Sequence, residues 1–227
     1  MRAKLVTYDV YMALLDIEGS LTSVVRDVLG LDTGTAAAFV KLWRAKQMER
    51  AAASNSLGKG RTSFRDCTAM ALDYCLFKHD LTSSQETRHD LVYAWDSIEP
   101  WPEADAAIAA VKAKGCRTAI LSNGDQEMLD AVAGNFAPQT FDHVLSSDTA
   151  GYYKPHPAVY GLPRTVLGID MDDVLHVAGS PNDVTGAIAA GMRCIWSNRH
   201  KDRLLDPAYP ATREIADLAG VAELIDS

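Results

Sequence analysis

The chain opens with the stretch KLVTYDVYMALLD, residues 4–16, in which a run of apolar and β-branched residues leads to an acid at Asp9. Short apolar runs of this kind are typical of a strand that is buried on both faces, as in a parallel sheet. In open α/β sheets, ligands bind beyond the carboxyl ends of the strands. Asp9 is therefore a candidate site residue, although an acid at a strand end also serves as a turn former or as a helix N-cap.

Size and composition limit the classes of protein to which this chain can belong. Its 227 residues suffice for one large domain, or for a core domain with a smaller inserted one. A hydrophobic content of 48% and a charged content of 23% are ordinary globular values and argue against long disordered segments. Because the net charge is -8 and no basic cluster offsets it, we expect no nucleic-acid partner and no anionic-membrane partner.

The cysteines and the amino-terminal segment predict the cellular compartment. The four cysteines are dispersed and form no CxxC pair, so free thiols are expected rather than a metal site. The chain enters its first strand directly, without a basic and apolar signal segment, and it contains no apolar run of membrane-spanning length. We therefore expect a cytoplasmic protein in a reducing environment.

The pattern of apolar and polar residues changes twice along the chain. In residues 17–96, apolar residues recur at helical spacing with little strand-like alternation, which indicates a helical insertion. Residues 1–16 and 97–227 then form the core domain. Within it, strands are predicted over 117–121, 143–146 and 174–178, with a last strand over 193–196, and helices over 104–114, 126–133, 159–167, 184–190 and 214–225. This alternation predicts a Rossmann-like α/β fold with a parallel sheet and an inserted helical cap subdomain.

Polar residues follow four predicted strands, at Asp9, at Ser122–Asn123, at Lys154, and at Ser180 with Asp183. The carboxyl ends of parallel strands meet at one edge of the sheet, so we expect these residues to surround a single crevice. Two carboxylates, an ammonium group and small donors form a set that suits covalent catalysis by a carboxylate nucleophile.

These residues also carry a family resemblance. The sequence resembles the haloacid dehalogenase superfamily, and within it the type II (S)-2-haloacid dehalogenases, over nearly its whole length. Five segments carry the resemblance, in order along the chain. They are Asp9–Tyr11 with Leu14–Asp16 (nucleophile segment), Leu42–Met48 (cap helix with its arginine), Leu121–Gly124 (substrate-carboxylate loop), Tyr153–Pro155 with Tyr160 (lysine segment) and Asp183–Ala187 (last acidic segment).

The resemblance implies a two-step mechanism. Asp9 attacks C2 of a short 2-substituted carboxylate, expels the substituent with inversion and becomes an ester, which water hydrolyses at the Asp9 carbonyl. Lys154 keeps Asp9 ionised, because a nearby positive charge favours the carboxylate. Asp183 pairs with Lys154 and helps to activate or place the water. Arg44 stabilises the departing anion from the cap helix, and Ser180 completes the catalytic set.

The same resemblance implies which residues contact the substrate. Ser122, Asn123 and the backbone N–H groups that follow Asp9 grip the substrate carboxylate. No cofactor is implied, and a homodimer is expected from the family. The implied substrate-binding residues are Val10, Tyr11, Met48, Ser122, Asn123, Tyr160 and Asn182.

Each of these residues also has an ordinary structural interpretation. Lys154 precedes a proline and could belong to a solvated turn, and Asp183 could be the N-cap of the helix at Val184. Arg44 could lie over apolar neighbours as an exposed stem. Tyr11 and Tyr160 could be core aromatics with a satisfied hydroxyl. The six histidines show no ligand spacing, and none is assigned to a site.

Most of the superfamily are magnesium-dependent phosphohydrolases, and two positions argue against that activity here. The phosphatases carry a second acid two residues after the nucleophile, where this chain has Tyr11, and a metal-binding acid in the last motif, where it has Ala178-Gly179-Ser180. A hard cation needs several carboxylate or carbonyl oxygens. We therefore expect no metal.

The chain also departs from the dehalogenase pattern. Met12-Ala13 replaces the usual Gly-Thr, and Ala178 stands where a serine is common, so two hydroxyls near the nucleophile are missing. Ala45 and Asn182 replace a glutamine and a tryptophan that usually help to enclose the substrate. These changes leave two alternatives open, namely hydrolytic ring opening of azetidine-2-carboxylate by the same mechanism and an inactive binding protein on the same fold.

Overall fold

A computed structural model of the protein describes residues 1–226, and it consists of one six-stranded sheet with helices along the chain between the strands. All neighbouring strands run parallel, in the order β3-β2-β1-β4-β5-β6. The strands are β1 (Leu5–Tyr8), β2 (Arg117–Ser122), β3 (His143–Ser146), β4 (Val174–Ala178), β5 (Arg193–Ser197) and β6 (Arg213–Ile215). The predicted fold class, a parallel α/β sheet of the Rossmann-like kind, is confirmed.

The helices divide into a block of four after β1 and shorter helices between the later strands. The first block comprises α1 (Ile17–Leu29), α2 (Thr33–Ser56), α3 (Phe64–Lys78) and α4 (Gln85–Tyr93). The others are α5 (Ala104–Ala113), α6 (Gln126–Ala133), α7 (Ser147–Ala150), α8 (Pro157–Tyr160), α9 (Leu162–Leu167) and α10 (Pro181–Ala189). The division of the chain into residues 17–96 and a two-part core remains a prediction.

Strand β1 lies at the centre of the sheet, and this position determines where Asp9 is held. Thr7 pairs with Ala119 of β2 on one side and with His176 of β4 on the other. All four residues of β1 are buried, as expected of a strand that is covered on both faces. Asp9 therefore leaves the sheet in the middle of its carboxyl edge, between the ends of β2 and β4.

The block of four helices packs on the turn after β1 through aromatic side chains. The ring centroids of Trp43 and Trp95 lie 5.4 Å apart, and those of Tyr11 and Trp95 lie 6.0 Å apart. Edge-to-face pairs of this kind are favourable beyond the area that they bury. Tyr11, two residues after Asp9, thus fixes the turn against α2 and the segment that follows α4.

A buried ion pair fastens the start of α3 to the sheet. The Asp125 carboxylate accepts hydrogen bonds from the backbone N–H groups of Phe64 and Arg65, both at 2.9 Å. It also accepts one from Arg61 at 2.6 Å, and Arg61 donates to the Gly124 carbonyl at 2.9 Å. The loop after β2, which carries two predicted site residues, is held against the helical segment in this way.

The predicted carboxyl-terminal helix over 214–225 is wrong. Residues Arg213–Ile215 form β6, which pairs with β5, and two short 3₁₀ turns follow at Leu218–Gly220 and Ala222–Leu224. Strand β5 is therefore not the last strand. Pairing with an open sheet edge outweighs the helical pattern, since propensity is a weak preference that tertiary contacts override.

The predicted helix over 159–167 is interrupted. Helix α8 ends at Tyr160 and α9 begins at Leu162, with Gly161 between them. Pro163 lies in the first turn of α9 rather than in a helix interior. That placement suits proline, whose missing N–H has no intrahelical acceptor in the first turn.

Two expectations drawn from composition can be compared with the structure. The four cysteines Cys67, Cys75, Cys116 and Cys194 are all free and all buried. Within residues 1–226, none of the helices combines the length and the apolar character that crossing a lipid bilayer demands.

Candidate active site

Asp9 lies directly after β1, and both of its carboxylate oxygens accept hydrogen bonds. Oδ2 accepts from the backbone N–H of Met12 at 3.1 Å, because Asp9 is the N-cap of a π-helical turn over Val10–Leu14. Oδ1 accepts from the Ser122 hydroxyl at 2.8 Å and lies 3.4 Å from Nζ of Lys154. The side chain is nearly buried, at 7% exposure. The carboxylate is thus fixed in orientation before any ligand binds.

Lys154 joins three loops at the carboxyl edge of the sheet. Its backbone N–H donates to Oδ1 of Asn123 at 2.8 Å, which ties the lysine loop to the loop after β2. Its ammonium group lies 2.9 Å and 3.0 Å from the two carboxylate oxygens of Asp183 and 3.4 Å from Asp9. The alternative in which Lys154 belongs to a solvated turn is wrong, since the residue is 7% exposed.

Asp183 receives a donor on each side in addition to Lys154. The Tyr160 hydroxyl donates to Oδ1 at 2.8 Å, and Nε2 of His176 lies 2.9 Å from Oδ2. Burial alone raises the pKa of Asp183, but the charge of Lys154 and the bonds from His176 and Lys154 outweigh it and hold the pKa well below its usual range. Asp183 is therefore a firmly ionised partner of Lys154.

Ser180, not Asp183, is the N-cap of α10. The Ser180 hydroxyl accepts from the backbone N–H of Asp183 at 3.4 Å, and Pro181 occupies the first turn. The interpretation of Asp183 as a helix N-cap is wrong, because Asp183 lies inside the helix and turns its carboxylate towards Lys154. The cap explains why Asp183 is presented at a fixed angle, since serine at an N-cap fixes the first turn.

A cavity of about 420 Å³ opens at the Asp9 carboxylate, and helix α2 closes it from the opposite side. Its size suits a small ligand, and its lining mixes charged groups with apolar ones. The sheet side contributes Asp9, Met12, Asn123, Lys154, Pro155, Ser180, Asn182 and Asp183, and helix α2 contributes Arg44, Ala45, Met48, Glu49 and Ala52.

Arg44 is the cation that faces Asp9 from α2. Its Nη1 donates to Oε1 of Gln47 at 2.6 Å, and its guanidinium carbon lies 5.4 Å from the ring of Tyr11 and 5.7 Å from that of Trp95. Arg44 lies over apolar neighbours, as the structural interpretation states, but it is half-buried rather than exposed. Cation–π contacts and the bond to Gln47 hold the guanidinium beside the cavity.

Four residues that the resemblance assigns to substrate binding do not line this cavity. Ser122 is fully buried and donates to Asp9. Val10 is fully buried in the core beneath the turn. Tyr11 lines a neighbouring cavity of about 250 Å³, which shares only Met12 and Arg44 with the first. Tyr160 lies behind Lys154 and contacts Asp183 instead. All of these side chains are fully buried, which a linear pattern does not reveal.

Tyr11 and Tyr160 also bear on the interpretation that they are core aromatics with a satisfied hydroxyl. Both rings are fully buried, as that interpretation states. The Tyr160 hydroxyl has a partner in Asp183, whereas the Tyr11 hydroxyl has none within residues 1–226. Burial, the main cause, raises the pKa of both phenols, so both stay neutral.

The sequence analysis missed His176, a fully buried residue in the middle of β4. Besides Asp183, its ring contacts the Thr7 hydroxyl, with Nδ1 and Oγ1 2.9 Å apart. One signal could have found it, because a polar residue inside a strand that is buried on both faces needs a hydrogen-bond partner. The spacing of the histidines along the chain does not indicate such a partner.

The backbone at Gly179 leaves no space for a side chain at the position that binds metal in the phosphatases. A Cβ atom at Gly179 would lie 2.1 Å from the carbonyl carbon of Met12 and 2.3 Å from the backbone nitrogen of Ala13. The strand end and the turn after Asp9 thus touch with no room for a side chain. Across residues 1–226, no three acids, histidines or cysteines are grouped as a metal would require. The expectation that no metal is used remains a prediction from Tyr11 and Gly179.

A parallel α/β sheet with a carboxylate at the end of its central strand and a lysine beside it defines a hydrolase of the aspartate-nucleophile class. A family model described as haloacid dehalogenase-like hydrolase matches residues 8–191. The chain belongs to this family.

Individual relatives are similar over most of their length. Haloacetate dehalogenase H-2 of Moraxella sp. (strain B) is 32% identical over 86% of this chain and 85% of its own. (S)-2-haloacid dehalogenase H-109 of Pseudomonas putida is 31% identical over 96% of both chains. The solved structure of the L-2-haloacid dehalogenase from Xanthobacter autotrophicus superposes with a TM-score of 0.85 at 25% identity, covering 98% of each chain.

The lowered pKa of Asp183 predicts how stability depends on pH. A group whose pKa is depressed by folding stabilises the native state above its unfolded pKa, about 3.9, and loses that contribution as the pH falls. We expect Asp183→Asn to lower the free energy of unfolding by about 3 kcal/mol at pH 7, because it removes the nearer of the two carboxylates that pair with the buried Lys154.

Urea unfolding of both proteins from pH 7 to pH 2 measures this, and the difference between them should shrink below about pH 4. Asp173→Asn removes an acid from the more exposed pair with Lys4 and should stay close to wild type throughout. A difference between wild type and Asp183→Asn that is constant across this range contradicts the ionised assignment.

Proposed function

We propose that this protein is a hydrolase that removes the halogen from short (S)-2-haloacids, with Asp9 as the nucleophile. The observation that carries the proposal is the Asp9 carboxylate itself, nearly buried, fixed by three donors and facing a small cavity opposite Arg44. The relatives support the substrate class, because those reported above act on haloacetate or on 2-haloacids by name.

In the first step, Asp9 displaces the halide. We assign the attack to Oδ2, which accepts one hydrogen bond, whereas Oδ1 accepts from both Ser122 and Lys154. A bond forms between Oδ2 and C2 of the substrate while the carbon–halogen bond breaks, and the halide leaves with its electron pair towards Arg44. In-line displacement inverts C2. Lys154 places a positive charge 3.4 Å from Oδ1 of Asp9 during this attack.

In the second step, water attacks the carbonyl carbon of the Asp9 ester. The bond between that carbon and the ester oxygen breaks, the 2-hydroxy acid leaves, and the Asp9 carboxylate is restored. Charge that develops on the carbonyl oxygen is stabilised by Ser122 and Lys154, which already point at the Asp9 carboxylate. Asp183 places the water from the same cavity, and the released proton leaves through the cavity to solvent.

The substrate carboxylate needs donors that are not already in use. Ser122 donates to Asp9, and the side-chain oxygen of Asn123 accepts from Lys154, which leaves the Asn123 amide nitrogen as a donor at the cavity wall. We propose that this nitrogen and the backbone N–H groups of Val10 and Tyr11 bind the carboxylate. Met48, Ala45 and Asn182 then surround the remainder of the substrate, and Ser180 contributes through the N-cap that presents Asp183.

Three other activities receive less support. The named relatives give no support to ring opening of azetidine-2-carboxylate. Phosphoryl transfer lacks both acids, at Tyr11 and Gly179, and the latter position has no room for one. An inactive binding protein has no need for a buried ammonium group that lies within 3.4 Å of each of two carboxylates.

A single turnover in oxygen-18 water tests the covalent step. With enzyme in excess over (S)-2-chloropropionate, we expect the hydroxyl oxygen of the product to come from Asp9 and to be unlabelled. The heavy oxygen should appear in the peptide that contains Asp9, because water attacks the carbonyl carbon of the ester. Mass spectrometry of the product and of the peptides measures both.

The matched variants for that experiment are Asp9→Asn and Asp16→Asn. Asp9→Asn should fold and lose turnover, whereas Asp16→Asn keeps the N-cap of α1 and should react like wild type. Label found in the product at the first turnover, with none in Asp9, excludes the covalent mechanism. Phosphatase activity towards p-nitrophenyl phosphate that depends on magnesium excludes the proposed reaction class.

Arg44 should control the sensitivity to the leaving group. We expect Arg44→Met to lower kcat by about 10²- to 10³-fold, the effect of removing one donor from a developing charge. The loss should be larger for 2-chloropropionate than for 2-bromopropionate, since chloride leaves less readily. Steady-state kinetics on both acids measures this. Lys46→Met, which removes a cation from the outer face of the same helix, should change neither value; equal losses for both halides contradict the assignment.

We further propose that the protein is a cytoplasmic homodimer that needs no cofactor. Four free thiols suit a reducing compartment. Helix α3 exposes Met70, Tyr74 and Phe77, spaced four and three residues apart and hence on one face, which is a suitable surface for a second copy. Cell fractionation tests the location, and light scattering on the purified protein tests the dimer. A wild-type protein that is monomeric, with a mass that Phe77→Lys does not change, contradicts the dimer.

A further inference from the structure

His176 is a buried titratable group that the proposed reaction does not use directly. It lies opposite Thr7 in the register of β4 and β1, and it has no exposed surface. Both ring nitrogens have polar neighbours, with Nδ1 2.9 Å from the Thr7 hydroxyl and Nε2 2.9 Å from Oδ2 of Asp183. Nε2 also lies 3.4 Å from Nζ of Lys154.

The neighbours determine which nitrogen carries the proton. The Asp183 carboxylate is ionised and only accepts, so Nε2 must donate to it. A second proton on Nδ1 would make a cation 3.4 Å from the Lys154 ammonium, which like-charge repulsion disfavours. With the proton on Nε2, Nδ1 is the acceptor that the Thr7 hydroxyl faces at 2.9 Å. Thr7 fixes the tautomer, and the tautomer fixes the bond to Asp183.

The bond from His176 determines how Asp183 shares Lys154. Oδ1 of Asp183 accepts from Tyr160, and Oδ2 accepts from His176, so the carboxylate plane is held on both sides. Lys154 binds both of those oxygens at 2.9–3.0 Å and reaches Asp9 at 3.4 Å. The contact with Asp9 is the longest in the set. If Oδ2 loses its donor, Lys154 is free to move towards it and away from Asp9.

We propose that His176, with its tautomer fixed by Thr7, is a positioning residue that keeps Lys154 within reach of the Asp9 nucleophile. It acts through Asp183 and touches neither the cavity nor the substrate. The proposal rests on the proposed function in one respect, because it takes Asp9 as the group that must be ionised. It goes beyond that function by assigning Thr7 and His176, on two adjacent buried strands, to the control of the nucleophile.

A purely structural role predicts a different outcome. A buried histidine that only fills space contributes to stability, so its replacement lowers the melting temperature and leaves the ionisation of Asp9 unchanged. A positioning role changes the acid limb of the pH profile. When Lys154 moves away, the Asp9 carboxylate loses a favourable positive charge, and the acid limb of kcat/KM moves to higher pH.

Four variants separate these outcomes. Thr7→Val is isosteric and removes only the hydroxyl, and His176→Phe keeps a ring without nitrogens. We expect both to move the acid limb up by about one pH unit and to lower kcat about tenfold, with KM unchanged. His176→Gln can place an amide N–H near the position of Nε2 and should restore the limb. Thr118→Val, which removes a buried hydroxyl from β2 far along the strand from Asp9, should lower only the melting temperature.

A direct measurement covers the case in which His176→Phe does not fold. Nitrogen-15 NMR of histidine-labelled wild type, assigned by the loss of one signal in His176→Gln, reports the tautomer without any turnover. A proton on Nε2 with an acceptor at Nδ1 is expected. Either of two results overturns the proposal. One is a proton on Nδ1 alone, and the other is an acid limb that lies at the same pH in Thr7→Val as in Thr118→Val.

The two proposals fail in different ways. Label that bypasses Asp9 in the oxygen-18 experiment overturns the covalent mechanism but leaves the His176 tautomer measurable. Label at Asp9 together with an unmoved acid limb overturns only the positioning role.

Discussion

The site depends on one buried cation placed between two buried carboxylates. Lys154, Asp9 and Asp183 are each less than a tenth exposed, so none of the three charges is solvated as it would be in water. Removing charges from water is costly, and only close pairing with additional hydrogen bonds offsets that cost. Four neighbours accordingly donate hydrogen bonds to the two carboxylates, namely Met12, Ser122, Tyr160 and His176. The two carboxylates and one ammonium group leave the set with one excess negative charge.

This arrangement requires the loops to meet with little freedom, and the parallel sheet provides that. Strands β1, β2 and β4 are adjacent, so Asp9, Ser122 and the α10 segment leave the sheet at the same edge. Lys154 comes from a longer connection after β3, and its backbone bond to Asn123 fixes it there. At Gly179 the backbone of one loop presses on that of another. The nucleophile is thus held by backbone geometry as much as by charge.

Much of this could be predicted from the sequence, and what could not has a physical cause. Apolar runs that end in polar residues located β1, β2, β4 and the crevice, because burial on both faces leaves a strong local signal. The pairing of β6 with an open edge is a long-range contact with no such signal, and a helical pattern concealed it. The inward direction of Tyr11 and Tyr160 depends on a π-helical turn and a four-residue helix, which spacing does not reveal.

His176 is the residue whose contacts are least predictable from the sequence. Within VLHVA, residues 174–178, it is a single polar residue whose partners come from β1, from the lysine loop and from α10. Its role depends on register, since a shift of one residue in β4 would turn the ring to the other face of the sheet. The buried polar set is therefore built by Thr7 and His176 inside the sheet and by Asp183 at the start of α10. The cavity wall formed by α2 and Asn182 differs, because Ala45 and Asn182 are exposed and a change of side chain there disturbs no buried charge. Substitutions in that wall can reshape the cavity while the charged set around Lys154 stays in place.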